Sequence, residues 1–91
     1  MNVVYVLFSN RDGRRYIGST NNLERRLREH LSGKCLSTRD RRPLVLIYQE
    51  SFDTLRQARL REKYFKTHKG FNELNKLIPG GPTPAARASG A

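Results

Sequence analysis

Apolar positions along the chain follow two periods, and the switches between them mark out the elements. Val3-Val4-Tyr5-Val6-Leu7-Phe8 is an unbroken run of β-branched, aromatic and aliphatic side chains, which reads as a strand. It stops at Asn10-Arg11-Asp12-Gly13, where Gly13 can supply the positive φ of a hairpin turn. Arg15-Tyr16-Ile17-Gly18-Ser19 is then the returning strand, and Thr20-Asn21-Asn22 offers N-cap residues for a helix starting near Leu23. Leu23, Leu27 and Leu31 recur at four-residue spacing, and Gly33 is placed to end that helix. After a basic loop over residues 34–42, residues 43–49 are apolar enough for a buried strand. Ser51-Phe52-Asp53-Thr54 supplies caps for a second helix running to about His68, with Gly70 closing it. Phe71, Leu74, Leu77 and Ile78 repeat at helical spacing, whereas the chain from Pro79 holds only Pro, Gly, Ala, Ser, Thr and one Arg. The expectation is one α+β domain over residues 1–78, a three-stranded antiparallel sheet flanked by helices, followed by a disordered tail over 79–91. The pairing of the third strand is left open by the pattern.

Some positions break the pattern. Leu55, Ala58, Glu62 and Phe65 share one face of the second helix, which sets a carboxylate in an apolar stripe. Burying that charge is costly without compensation, so Glu62 requires an arginine, helped by Lys66 at i+4, or a metal ion. Arg26 and His30 lie four apart beside the leucine stripe of the first helix, either as a solvated basic face or as part of a site. A guanidinium there presents a donor fork that matches phosphate oxygens. Tyr5 and Tyr16 fall on the two strands of the hairpin and can face one another across it, as core residues or as members of a polar cluster with Arg26 and Glu62.

Charge narrows the partner. Eighteen Lys and Arg stand against eight Asp and Glu, for a net charge of +10 on 91 residues. Such density points to a polyanion, with nucleic acid first. The cations are spread over residues 14–28, 34–42 and 56–69, so the folded body carries them rather than a basic tail. Single Cys35 cannot close an internal disulfide and has no partners at zinc-ligand spacing, which fits a reducing, cytoplasmic setting. No apolar run approaches the roughly 18–20 residues of a bilayer span, and no positively charged leader precedes the first strand, so no membrane association is expected.

Taken in order, Val3-Val4-Tyr5, Tyr16-Ile17-Gly18, the stretch Ser19 to His30, Arg41-Arg42-Pro43-Leu44-Val45-Leu46-Ile47-Tyr48 and Arg59-Leu60-Arg61-Glu62-Lys63-Tyr64-Phe65-Lys66 resemble the GIY-YIG nuclease family over roughly residues 2–78. The chain is similar to its short stand-alone bacterial members and to the N-terminal nuclease domain found in the excision-repair endonuclease. Its first triplet keeps the tyrosine but has Val in place of Gly.

The resemblance implies an endonuclease that hydrolyses phosphodiester bonds, with DNA the expected polymer in repair or processing, and with Mg²⁺ or Mn²⁺ as cofactor. It places Tyr5 and Tyr16 as the two motif tyrosines, Arg26 as the catalytic arginine, His30 four residues further on, and Glu62 as the metal ligand. Gly18 matches the second-motif glycine, and Arg14, Arg15, Arg28, Lys34, Arg39, Arg41 and Arg42 are expected along the nucleic acid. Tyr5 is the expected acceptor of the attacking water's proton, which requires its phenol to be lowered from about 10 by nearby positive charge. Asn72 and Asn75 are both open for a late asparagine of the family. Substrate choice would come from nucleic-acid shape, from a targeting protein or from self-association. The competing expectation is a non-catalytic nucleic-acid-binding module of the same fold.

Overall fold

The computed structural model describes residues 1–78; the expected tail over 79–91 lies outside the described residues. Strands β1 (Asn2–Ser9) and β2 (Arg15–Thr20) are followed by helix α1 (Leu23–Ser32), a 3₁₀ turn over Arg39–Arg41, strand β3 (Leu44–Phe52) and helices α2 (Leu55–Phe65) and α3 (His68–Leu77). The sheet is antiparallel throughout, in the order β2-β1-β3. This is the expected α+β architecture, and it settles where the third strand pairs.

The unbroken apolar run of β1 has a physical reason. As the central strand it is covered on both faces, so both of its alternating side-chain sets are apolar. Val4 and Val6 pack with Ile17, Phe65, Leu74 and Ile78 beneath α2 and α3. Val3, Tyr5 and Leu7 pack with Leu44, Tyr16, Leu23 and Leu27 beneath α1. A bulge between Val6 and Leu7 sets Val6 opposite Tyr48 and Leu7 opposite Leu46, leaving Ile47 as the extra residue.

Local chemistry accounts for most element ends. Asn22 accepts from the Arg25 amide at the start of α1, and Gly33 closes that helix at φ 86°. Gly13 takes the positive φ of the β1–β2 turn. Thr54 and Gln57 form a reciprocal capping box on α2.

Three expectations change. β3 runs on through Ser51 and Phe52, because Asn2 and Val3 pair with them, so only Thr54 of the proposed cap residues caps α2. The second helix ends at Phe65, and Thr67 starts α3 by accepting from the Gly70 amide at 3.0 Å. Gly70 therefore closes nothing. It lies inside α3 against the Tyr64 carbonyl, where a Cβ would overlap backbone.

The leucine stripe of α1 also shifts. Steps of four overshoot the helical period by about 40° each, so Leu31 ends about 80° from Leu23, while His30 at i+7 returns to within about 20°. The buried member of that turn is accordingly His30, at 0% exposure, and Leu31 is 53% exposed. The reading of His30 as a solvated surface residue is overturned.

Candidate active site

Tyr5 points from β1 toward α1 and lies directly opposite Gly18 on β2. A Cβ at Gly18 would sit 2.5 Å from the Tyr5 hydroxyl and 2.6 Å from Cζ, so the missing side chain is what lets the phenol lie across the neighbouring strand. Gly18 itself is buried, and its role is to admit Tyr5 rather than to contact nucleic acid. Tyr16 pairs with Leu7, two residues along, so the two tyrosines are diagonal neighbours and not directly opposed; their ring centroids are 6.4 Å apart.

The phenol of Tyr5 meets Nε2 of His30 at 2.9 Å, and Nδ1 of His30 meets Oγ1 of Thr38 at 2.7 Å. Tyr5, His30 and Thr38 are all buried, so the ring has both nitrogens satisfied within the protein, one of them as donor and the other as acceptor. Tyr16 closes the cluster, its ring 5.1 Å from the imidazole, and remains half-exposed.

Arg26 stands one turn before His30. Its Nη1 donates to Glu29 at 2.8 Å and its Nη2 lies 3.5 Å from the Cys35 sulfur, and a third of the side chain faces solvent.

These surroundings set the protonation states. Burial pushes the Tyr5 phenol up to about 12, and the Arg26 hydrogen bond offsets this only in part. At pH 7 about one phenol in 10⁵ would then be ionised, which is the opposite of the lowered value a proton acceptor needs. Tyr5 is therefore a neutral phenol here, and its surroundings run against the lowered value that its expected role in taking the water's proton requires. Burial and then Arg26 hold His30 below its ordinary value, so the imidazole is neutral as well. Burial raises the Cys35 thiol, but hydrogen bonds from Ser37 and Thr38 and the nearby Arg26 outweigh it and leave the thiol lowered.

Glu62 belongs to a different side of the sheet. Its α2 neighbours Ala58 and Phe65 are fully buried, whereas the Glu62 side chain is 23% exposed at the rim of that stripe rather than in its middle. Oε1 accepts from Ser19 at 2.6 Å and Oε2 from Lys66 at 2.6 Å. Because successive strand residues face opposite ways, Ser19 meets α2 while Tyr16 and Gly18 face α1. The structure thus unites Tyr5, Tyr16, Arg26 and His30 in one cluster, and joins Glu62 to the same edge strand from the other face.

No group of three or more His, Cys, Asp or Glu side chains is gathered at metal-binding range among the described residues. A lone, half-buried carboxylate on an open groove nevertheless suits Mg²⁺, which keeps several waters and takes few protein oxygens.

The remaining expected residues scatter. Arg14 and Arg15 line a cavity with Phe71, where Arg15 lies 5.2 Å over the ring and bonds Asn75. Arg28 and Lys34 line a second, with Arg28 paired to Glu24, and Arg39 and Arg42 line a third. Arg41 is committed inward, to Asp12 at 2.8 Å and to the Arg15 carbonyl. Asn72 reaches His68 and Asn75 reaches Arg15, so neither joins the tyrosine cluster. Sequence reasoning missed Ser19, Thr38 and Cys35. Only Ser19 left a signal, since strand alternation from Tyr16 puts it on the opposite face.

A small antiparallel sheet presenting two tyrosines, an arginine and a histidine on one face of its hairpin, with a glutamate at the same edge, is a nuclease-type domain. The chain matches the family model described as the GIY-YIG catalytic domain over residues 1–75, and it belongs to that family. It is similar to a UPF0213 protein of Bacillus licheniformis, 52% identical over 63 residues, which are 68% of this chain and 64% of that protein. A UPF0213 protein of Clostridium perfringens is 45% identical over 67 residues, 72% of this chain and 71% of the relative. Among solved structures, the solution NMR structure of a UPF0213 protein from Bacillus halodurans is 35% identical, with a TM-score of 0.54, covering 90% of this chain and 89% of that one. The chain spans just under two thirds of the length of the Bacillus licheniformis relative.

Proposed function

We infer that the chain is an endonuclease that hydrolyses nucleic-acid phosphodiester bonds, DNA foremost, with a divalent metal held by Glu62. The observation that carries this reading is the pairing of a solvent-reaching arginine beside a dry tyrosine–histidine cluster with a carboxylate, Glu62 of α2, that meets the edge strand β2 from its other face through Ser19. A phosphodiester needs stabilised charge on its non-bridging oxygens and an oriented water. A bound Mg²⁺ or Mn²⁺ supplies Lewis acidity and a lowered pKa for water.

The chain's own residues supply the rest. Arg26 spends part of its fork on Glu29 and keeps donors for the phosphoryl oxygens. Tyr16 is the phenol that solvent reaches, and it orients the attacking water. Tyr5, His30 and Thr38 form a neutral buried chain that fixes the wall behind Tyr16 and carries no charge into the site. Lys66, bound to Glu62, is the group a metal ion would displace from the carboxylate.

The test is incubation of purified protein with supercoiled plasmid, single-stranded DNA and RNA, in Mg²⁺, in Mn²⁺ and in chelator. Cleavage in the two metals and none in chelator is expected, with Glu62→Ala abolishing the cut and leaving binding largely intact. Undiminished cleavage by that variant sinks the metal assignment. Binding with no metal-dependent cut identifies a non-catalytic binding module.

A further inference from the structure

Helix α2 and its C-cap residue Lys66 carry Arg56, Arg59, Lys63 and Lys66 at i, i+3, i+7 and i+10, which on a 3.6-residue helix fall within an arc of about 80°. The stripe is about 15 Å long. With Ser19, Leu60 and Glu62 these four residues line one open groove of about 580 Å³. Glu62 is the only acid on its lining, and it sits between the buried face of the helix and the basic stripe.

Three of the four cations in this stripe are left without a carboxylate among the described residues, Lys66 being the one paired, to Glu62. Arg25, Arg26, Arg28, Arg41 and Arg61 each pair with a carboxylate, but Arg56, Arg59 and Lys63 have no such partner among the described residues. Neighbouring cations at i+3 and i+4 repel one another, a cost that a bound polyanion relieves. The stripe is also held rigidly. Thr54 and Gln57 cap the helix, Ala58 and Phe65 bury its other face, and Arg61 ties it to Glu50 at 2.9 Å and to Glu73 at 2.8 Å. Leu60, 57% exposed, adds an apolar surface in the groove for sugar edges.

We propose that this groove is the track for the sugar–phosphate backbone of one nucleic-acid strand, held by Arg56, Arg59 and Lys63 and leading to the carboxylate of Glu62; the identity of the polymer rests on the nuclease reading above. At about 3.4 Å of rise per nucleotide, a 15 Å stripe spans roughly four phosphates. Contacts of this kind position a strand without reading its bases. The groove differs from the three cavities where the other expected cations lie, none of which is lined by the candidate metal ligand.

The experiment is fluorescence anisotropy on the full chain with a labelled single-stranded oligonucleotide and its duplex, in chelator, across a potassium chloride series. The variants are Arg56→Ala/Arg59→Ala/Lys63→Ala and, with equal charge loss at exposed positions elsewhere, Arg11→Ala/Lys69→Ala/Lys76→Ala. Circular dichroism verifies that both retain the fold. The α2 variant is expected to flatten the slope of log K against log salt by about 2 to 3 and to weaken binding at least about tenfold, whereas the control moves the slope by less than about 1. The charge-preserving Arg56→Lys/Arg59→Lys/Lys63→Arg variant is expected to keep the wild-type slope. An unchanged slope in the α2 variant, or an equal loss in the control, overturns the track and leaves the nuclease reading standing. Failure of the wild-type chain to bind either oligonucleotide at any salt overturns the nuclease reading itself.

Discussion

Replacing Gly18 with alanine tests whether the fold of the hairpin and the architecture of the site are one arrangement. Gly18 is not at positive φ, so its backbone tolerates an L side chain, and any penalty has to come from space. The new methyl would meet the Tyr5 hydroxyl at 2.5 Å and Cζ at 2.6 Å, and the ring cannot swing aside because Tyr5 is 1% exposed and bonded to His30. Overpacking of this kind costs about 1–3 kcal/mol. Displacing the phenol from His30 strands a buried donor or acceptor, for about another 1–3 kcal/mol. Gly18→Ala should therefore lose roughly 2–6 kcal/mol in urea unfolding. The decisive measurement is a double-mutant cycle with Tyr5→Leu, which removes the ring. In that background Gly18→Ala should cost under about 1 kcal/mol, giving a coupling of at least about 2 kcal/mol. Equal costs in the two backgrounds would refute the claim that Gly18 exists to admit Tyr5.

Three further outcomes follow from the same geometry. His30 is held neutral, with its folded pKa below its unfolded value, so the unfolded chain binds more protons between the two. Its contribution to stability is present above about pH 6.5 and is lost as pH falls through that value and below, and denaturation midpoints across pH 5 to 8 should show a slope that His30→Gln flattens. Tyr16→Phe should slow metal-dependent plasmid nicking by about 10²-fold or more, while Tyr5→Phe mainly lowers stability by about 1–3 kcal/mol; the reverse order in kinetics and unfolding would reassign the two phenols. Gly70→Ala would drive a methyl into the Tyr64 carbonyl, and it should lose at least about 3 kcal/mol in thermal or urea unfolding, where a helix-closing glycine would lose little.

Features legible in the sequence are those whose causes lie within a few residues. Asn22, Gly33 and Thr54 act on amides and carbonyls of their own helix turns, and Gly13 on its own turn, so composition and spacing reveal them. The uninterrupted apolar run of β1 likewise announces a strand. The family motif, spread over several separated blocks, marks the domain and its tyrosines, arginine and glutamate.

Chain order and residue type are thus enough for the set of elements, their class and the kinds of side chain in the site. Tertiary structure decided which of those residues meet, because helical phase gives angles between side chains but not the angle that faces the sheet. It buried His30 instead of Leu31, since Tyr5, 25 residues away, and Thr38, eight residues away, satisfy its ring. It moved Glu62 from the middle of its stripe to the rim, where Ser19 meets it from β2. It also set the proton affinities, raising Tyr5 by closing water out, a property that depends on packing from three elements and on no single stretch of chain.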